Sequence, residues 1–310
     1  SMNIISDTYQ SRAGEQAAII ARPDPVVYAP RGTLGGAALS SQQLSRYRKN
    51  GFLFLPRLFS AGEVEGLVQE ARRLEQDKAL RAREEVIFEP AGHEVRSVFR
   101  VHRLSAIYER LVADARLANI ARQILGSEVY IHQSRLNLKP GFGGAEFFWH
   151  SDFETWHIED GMPRMRALSC SILLTDNDEF NAPLMLIPGS HRYFVSCIGE
   201  TPEDHYKQSL QNQEIGTPDP ISLKLLADQG GIQSAKGPAG SVVFFDCNTM
   251  HGSSSNISPY SRSNLFFVYN SVDNKLGPPR SGRPPRPEFI ASREDISAVH
   301  PVAADAAVMH

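Results

Sequence analysis

Residues 147–191 read FFWHSDFETWHIEDGMPRMRALSCSILLTDNDEFNAPLMLIPGSH and contain the motif that decides the fold. The stretch includes His150-Ser151-Asp152, two metal-capable side chains separated by one residue. In an extended strand alternate side chains point to one face, so we expect His150 and Asp152 to converge while Ser151 turns away. An imidazole and a carboxylate are two of the three ligands that hold non-haem Fe(II) and leave coordination positions open. Alone, however, such a motif is also typical of a polar strand end.

The hydrophobic pattern is helical on the N-terminal side of this motif and becomes strand-like from residue 129. Apolar residues recur at helical spacing over 61–78, behind a capping box of Ser60 and Glu63, and again over 105–125. From residue 129 onward short apolar strands alternate with turns, which is typical of a barrel or sandwich. We therefore predict a mainly β fold with flanking α-helices. Its parts are an irregular arm over 1–38, a single domain over 39–276 that is helical to 126 and strand-rich from 127, and a Pro/Arg-rich tail over 277–310 in which nothing suggests chemistry.

Composition excludes several classes of partner. The formal net charge of −3 gives no electrostatic reason to bind nucleic acid or an anionic membrane. No apolar run approaches the roughly 20 residues that a membrane helix needs, and the N-terminal residues lack a signal pattern. The three cysteines are far apart and form no C-x-x-C motif. Reduced thiols and a cytoplasmic location are therefore expected.

A third metal ligand is expected at His251. It follows the apolar strand SVVFFD (241–246), and Arg262 opens the next one. H-x-D, a long gap, a second histidine and a basic residue at about this distance form a pattern that resembles the Fe(II)/2-oxoglutarate oxygenases. Their barrel is a double-stranded β-helix (a cupin-like jelly roll), which agrees with helices first and strands afterwards.

The chemistry of such a centre explains this spacing. Three protein ligands leave three positions on iron, of which 2-oxoglutarate takes two and O₂ the third. The distal carboxylate of 2-oxoglutarate then needs a buried cation, and arginine suits it because its planar fork binds carboxylates bidentately and stays charged. Strand alternation places Arg262, Asn264 and Phe266 on one face. Zinc could occupy the same ligands, but it cannot activate O₂ and would leave Arg262 unexplained.

The motifs together resemble a known family. H-x-D followed by P-G-S-H (188–191) is similar to the phytanoyl-CoA dioxygenase superfamily, and WHSDFETWHIEDGMPRMRALSCSILLTDN is very similar to the signature of its ectoine hydroxylases. The resemblance extends to about Lys275 and departs at Ala182-Pro183, in a turn where glycine is expected. It implies a homodimer that hydroxylates ectoine to 5-hydroxyectoine for osmotic protection, while 2-oxoglutarate is converted to succinate and CO₂. The implied residues are His150, Asp152 and His251 for iron; Arg262, Ser253 and Asn137 for 2-oxoglutarate; and Gln133, Thr155, Trp156, Phe245, Asn264 and Phe266 for the substrate.

The residues themselves support part of this assignment. Gln133 and Asn137 share a strand face, whereas core packing is the alternative role for Trp156 and Phe266. Ectoine is a small zwitterion whose amidinium suits an aromatic-lined pocket. Two alternatives remain open: a sister hydroxylase of another small zwitterion such as proline, and a jelly-roll protein that binds a solute without turnover.

Overall fold

A computed structural model describes residues 7–14, 16–30, 34, 38–90, 92–209 and 215–304 of the chain. Two antiparallel sheets pack face to face within these residues, and helices cover the outer face of the larger sheet. The fold is a jelly roll with flanking helices, so the fold class predicted from the sequence is confirmed.

The larger sheet is built around one long ladder between two strands, β5 (Val129–Lys139) and β13 (Arg262–Ser271). Its register runs from Val129 opposite Ser271 to Lys139 opposite Arg262, with one irregularity after Val268. Both strands are rich in β-branched and aromatic residues, which fit a pleated surface buried on both sides. The seven strands, numbered along the chain and given in spatial order, are β2 (Phe52–Leu55), β11 (Val242–Asp246), β7 (Ala167–Leu173), β13 (Arg262–Ser271), β5 (Val129–Lys139), β4 (Val95–Phe99) and β3 (Val86–Phe88).

The smaller sheet brings two of the expected metal ligands side by side. Its spatial order is β10 (Gln233–Ser234), β8 (Met185–Leu186), β12 (His251–Ser253) and β6 (Phe147–His150). In the β6–β12 pair, His251 lies directly opposite His150. The two sheets bury a common apolar layer, which consists of Phe52, Leu173, Leu184, Leu186, Ala235, Val243, Phe245 and Phe266.

The helices begin at polar caps. A capping box of Ser60 and Glu63 starts the second helix as predicted, and a similar box of Ser40 and Gln43 precedes the first. The single helix predicted over 105–125 is wrong: the carboxylate of Asp114 accepts a bond from the backbone N–H of Arg116 and starts a new helix there. The helices are α1 (Ser41–Asn50), α2 (Ala61–Gln76), α3 (Lys78–Arg81), α4 (Val101–Leu104), α5 (Ala106–Val112), α6 (Ala115–Leu125), α7 (Asp152–Asp160), α8 (His205–Ser209) and α9 (Pro220–Gly230).

Both flanking segments pack against the jelly roll. The arm predicted as irregular contains β1 (Ile19–Ala21), which pairs with β9 (Tyr193–Val195); residues 1–6, 15, 31–33 and 35–37 of that arm lie outside the described residues. In the tail, Ile290 is fully buried and the N–H of Ser292 bonds to the carbonyl of His132. No helix among the described residues is long and apolar enough to cross a membrane.

Candidate metal and cosubstrate site

Three side chains at the ends of β6, α7 and β12 form a cluster of metal-ligating groups. His150 Nε2 lies 3.4 Å from one carboxylate oxygen of Asp152, and His251 Nε2 lies 3.5 Å from the other. One ligand atom from each residue falls within 4.8 Å of the others. Two imidazoles and one carboxylate that converge in this way fit the donor set of a non-haem iron centre.

The imidazoles are held in the orientation and tautomer that a ligand needs. His150 Nδ1 bonds to the carbonyl of Phe148, and His251 Nδ1 to that of Thr249, so each Nε2 faces the cluster. Burial lowers the pKa of His251 to about 4, and its ring is therefore neutral at pH 7. Burial acts to raise the pKa of Asp152, but the neighbouring histidines act to lower it and prevail. The net shift is downward, so the carboxylate is ionised.

The route by which His150 and Asp152 meet differs from the one expected. They do not alternate along one strand: His150 is the last residue of β6 and Asp152 the first of α7, with Ser151 extended between them. The convergence comes from this strand-to-helix turn. It also places Thr155 and Trp156 one helical turn beyond the metal ligand, on the same side of α7.

The P-G-S-H motif (188–191) supports the backbone next to the third ligand, His251. Ser190 Oγ accepts a bond from the backbone N–H of Met250, and the carbonyl of Met250 accepts one from Ile187 N–H. His191 is bound through Nε2 to the carbonyl of Arg48. The motif thus fixes the residue that precedes His251 and places no side chain in the metal cluster.

Two buried basic side chains lie opposite each other at the end of the β5–β13 ladder. Arg262 and Lys139 are cross-strand partners, 6% and 3% exposed, and neither has a carboxylate partner among the residues that the structure describes. Burial lowers the pKa of Arg262 to about 10, and its Nε lacks a hydrogen-bond partner. Burying either group as a cation without a counter-ion is costly, so this pair is suited to an anionic ligand.

The remaining residues predicted for the cosubstrate surround this pair. Lys139 Nζ donates to Ser253 Oγ at 2.8 Å and to the carbonyl of Ser254 at 2.6 Å. Asn137 accepts a bond from Ser97 Oγ. Asn264 accepts one from the Arg262 guanidinium, at 3.2 Å.

A cavity beside the metal cluster contains half of the predicted site residues. Trp156 and Phe266 line it and are 4% and 5% exposed, so each combines a place in the cavity wall with core packing. Phe245 lies behind it, 4.9 Å from the His251 ring. The residues that line the cavity are Phe99, Gln133, Arg135, His150, Asp152, Thr155, Trp156, Ser169, Phe266, Val268 and Arg286.

Three basic residues at this site were not predicted from the sequence: Lys139, Arg135 and Arg286. Arg135 shares a face of β5 with Gln133, and its guanidinium stacks over the ring of Phe266 at 4.9 Å. Its buried Nε has no hydrogen-bond partner among the described residues. Its position on the face of Gln133 was the available signal. Arg286 belongs to the tail in which nothing suggested chemistry, but its side chain lines the cavity. No local pattern marks it, because only the tertiary path of the tail brings it to the cavity.

The fold and the cluster together define a class of protein. The jelly roll presents two histidines and one carboxylate beside buried basic side chains that suit an anion. These are the groups of a non-haem iron oxygenase that uses a 2-oxo acid. Residues 47–264 match the family model "Phytanoyl-CoA dioxygenase (PhyH)". The chain belongs to the phytanoyl-CoA dioxygenase family.

Its relatives within the family make the resemblance more specific. It is 64% identical to the ectoine dioxygenase of Bordetella bronchiseptica over 96% of both chains. It is 55% identical to that of Stutzerimonas stutzeri, over 94% of this chain and 96% of the relative. The crystal structure of EctD from S. alaskensis with 2-oxoglutarate and 5-hydroxyectoine has a TM-score of 0.85 and 46% identity, over 96% of this chain and 99% of that one. The resemblance to ectoine hydroxylases is confirmed.

Proposed function

We propose that this protein is an ectoine hydroxylase, which converts ectoine to 5-hydroxyectoine as 2-oxoglutarate and O₂ give succinate and CO₂. The observation that carries the proposal is the convergence of His150, Asp152 and His251 next to a cavity with three aromatic side chains, Phe99, Trp156 and Phe266. The likeness to ectoine dioxygenases supports the choice of substrate.

His150, Asp152 and His251 would hold Fe(II), which with 2-oxoglutarate supplies the oxidation of an unreactive C–H bond. The protein's own part is to keep both Nε2 atoms unprotonated and aimed at one point, through the carbonyls of Phe148 and Thr249. Arg262 would bind the distal carboxylate of 2-oxoglutarate, with Ser253 and Asn137 beside it. Lys139 adds a second positive charge to this anion site.

Substrate orientation follows from charge and hydrogen-bonding capacity. Gln133 Nε2 donates to the carbonyl of Ile290, which leaves its amide oxygen as the acceptor for an N–H of the ectoine amidinium. The indole of Trp156 offers that cation an aromatic face. Arg135 supplies the positive charge that a substrate carboxylate requires, and Arg286, which is paired with Asp160, lies beside it in the cavity wall. Thr155, Phe245, Asn264 and Phe266 complete the proposed substrate set.

The test of the function is succinate formation by protein loaded with Fe(II) under O₂. We expect succinate and 5-hydroxyectoine in equal amounts when ectoine and 2-oxoglutarate are both present. Turnover with proline but not ectoine would favour a sister hydroxylase. Ectoine binding without succinate would leave only a solute-binding protein, for which an intact metal cluster has no use.

Trp156→Ala should weaken ectoine binding by about 1–2 kcal/mol, through lost cation–π attraction and apolar contact. The apparent KM for ectoine then rises roughly tenfold. Trp156→Phe should recover part of the loss, because the smaller ring keeps a weaker quadrupole. Ectoine titration and melting temperature are measured on both variants. A large stability loss with unchanged ectoine affinity would assign Trp156 to the core alone.

Affinity for 2-oxoglutarate should fall as the pH rises. Burial, with help from Arg262 and Arg96, lowers the pKa of Lys139 to about 6, and Glu89 and Glu146 oppose this less strongly. A bound carboxylate raises that pKa again, so binding takes up a proton above pH 6. The dissociation constant then increases by up to about tenfold per pH unit.

The control for this pH dependence is Lys139→Met, which should bind 2-oxoglutarate more weakly but with a flatter pH profile. Titrations are run anaerobically with Fe(II), in two buffers of different ionisation enthalpy, to count the protons taken up. Equal pH profiles for wild type and Lys139→Met would show that Lys139 does not titrate on binding.

Two further expectations stay proposals. We propose a homodimer, as the family resemblance implies, and light scattering of the purified protein tests it. We also propose a cytoplasmic location, because Cys170, Cys197 and Cys247 are all free and buried. Localisation of the protein in fractionated cells tests that expectation.

A further inference from the structure

Helix α7 carries more buried negative charge than its contacts within the jelly roll can balance. Glu154, Glu159 and Asp160 are 1%, 4% and 0% exposed. Burying an ionised carboxylate is costly unless it is paired and hydrogen-bonded. The same helix presents Thr155 and Trp156 to the cavity, so whatever balances these acids also fixes the cavity wall.

The balancing charge for two of the acids comes from the N-terminal arm. Arg12 Nε bonds to Glu154 at 2.6 Å, and Arg12 Nη1 bonds to Glu159 at 2.8 Å and to Thr201 Oγ1 at 2.9 Å. Its Nη2 donates to Thr155 Oγ1 at 3.3 Å. One guanidinium therefore spans two acids of α7 and contacts a side chain of the cavity wall.

The backbone of Arg12 is held in a conformation that few residues adopt. Its φ is 58°, in the left-handed region that disfavours any residue with a Cβ. The Arg12 N–H is bonded to the carbonyl of Cys197 at 2.9 Å, which fixes this geometry. Such a backbone persists only where the surrounding contacts over-determine it, and such positions concentrate at functional sites.

We propose that Arg12 is a positioning residue for the substrate: by bridging Glu154, Glu159 and Thr155, it sets the place of α7 and hence of the side chains that meet ectoine. The inference rests on the proposed function, because it names ectoine as the ligand of this wall. Arg12 contacts no residue of the metal cluster and neither Lys139 nor Arg262. The start of α7, where Asp152 lies, is held separately by the bond from the Phe153 N–H to the carbonyl of Cys247, so the main effect is expected on the substrate.

The experiment compares Arg12→Gln with wild type in the full chain. Ectoine is titrated calorimetrically into protein loaded with Fe(II) and 2-oxoglutarate without O₂, and KM and kcat are then measured under O₂. Arg12→Gln should raise the dissociation constant and the KM for ectoine by between about tenfold and a hundredfold, as expected for a misplaced binding wall. The KM for 2-oxoglutarate should change less than about twofold.

Arg22→Gln is the matched control, because Arg22 lies in the same arm and its buried guanidinium is paired with Asp246 of β11, at 2.7 Å. It should lower the melting temperature but leave the ectoine dissociation constant within about twofold of wild type. An equal loss of ectoine affinity in both variants would reduce Arg12 to a general anchor of the arm and overturn the proposal.

Arg12→Lys keeps the charge and serves if Arg12→Gln fails to fold. A lysine can reach one carboxylate but cannot span two and Thr155, so ectoine affinity should fall in this variant also, by a smaller factor. Unchanged ectoine affinity in Arg12→Lys would overturn the positioning role. Wild-type protein that neither binds nor turns over ectoine would instead overturn the proposed function, and the inference with it.

Discussion

Asp152→Ala should lose Fe(II) and turnover while the chain remains folded. Only three side chains form the metal cluster within the described residues, and Asp152 is its one carboxylate. Changes to residues that merely support a ligand already cost 10–100-fold, so loss of the ligand itself should leave less than about 1% of wild-type activity. Metal content after anaerobic loading, and the circular dichroism spectrum, are the measurements.

Asp228→Ala is the control for that change. Asp228 is an exposed aspartate of α9, paired with Lys224 on the surface, and its loss removes the same charge without touching the site. It should keep full metal content and activity. An Asp152→Ala protein that still binds one Fe(II) and turns over would remove Asp152 from the metal cluster.

Arg262→Ala should raise the 2-oxoglutarate requirement by about a hundredfold or more, because removing one partner of a buried charge pair costs on the order of 3–5 kcal/mol. Without ligand, however, the same arginine is a buried cation with no acid beside it in the part of the chain that the structure describes. The ligand-free variant should therefore be no less stable than wild type. Melting temperatures with and without 2-oxoglutarate separate the two effects.

The volume-matched variant Arg262→Met excludes a packing explanation of this result. It fills the space of the arginine stem but carries no charge, so 2-oxoglutarate should no longer raise its melting temperature. If either variant saturated with 2-oxoglutarate like wild type, the distal carboxylate would have to bind elsewhere, and Lys139 would be the first residue to test.

Patterns of short range predicted much of the fold. Strand alternation placed Arg262, Asn264 and Phe266 on one face, and the register of β13 against β5 agrees with it. The capping box at Ser60 began a helix where expected. The break at Asp114 was missed because apolar periodicity runs through it, although an aspartate can equally start a helix.

The site was harder to predict where it depends on distant parts of the chain. His150 and Asp152 were recognisable from a three-residue motif, even though a strand-to-helix turn, and not a continuous strand, joins them. Arg286 and Arg12 had no such signal. Each is an ordinary arginine in a stretch rich in proline, glycine or polar residues, and only tertiary contacts with α7 give it a role.

Helix α7 is held from both flanking segments, and this has a consequence for folding kinetics. Arg12 and Arg286 reach it across 142 and 126 residues of intervening chain. The β5–β13 ladder, with Val129 opposite Ser271, closes loops of the same length, so loop length alone does not set the order of these events. The two segments, however, dock on a helix that the jelly roll must first position. On dilution from denaturant, the sheet signal should therefore recover first. Competence to bind ectoine should return in a later, slower phase, as the two segments dock on α7.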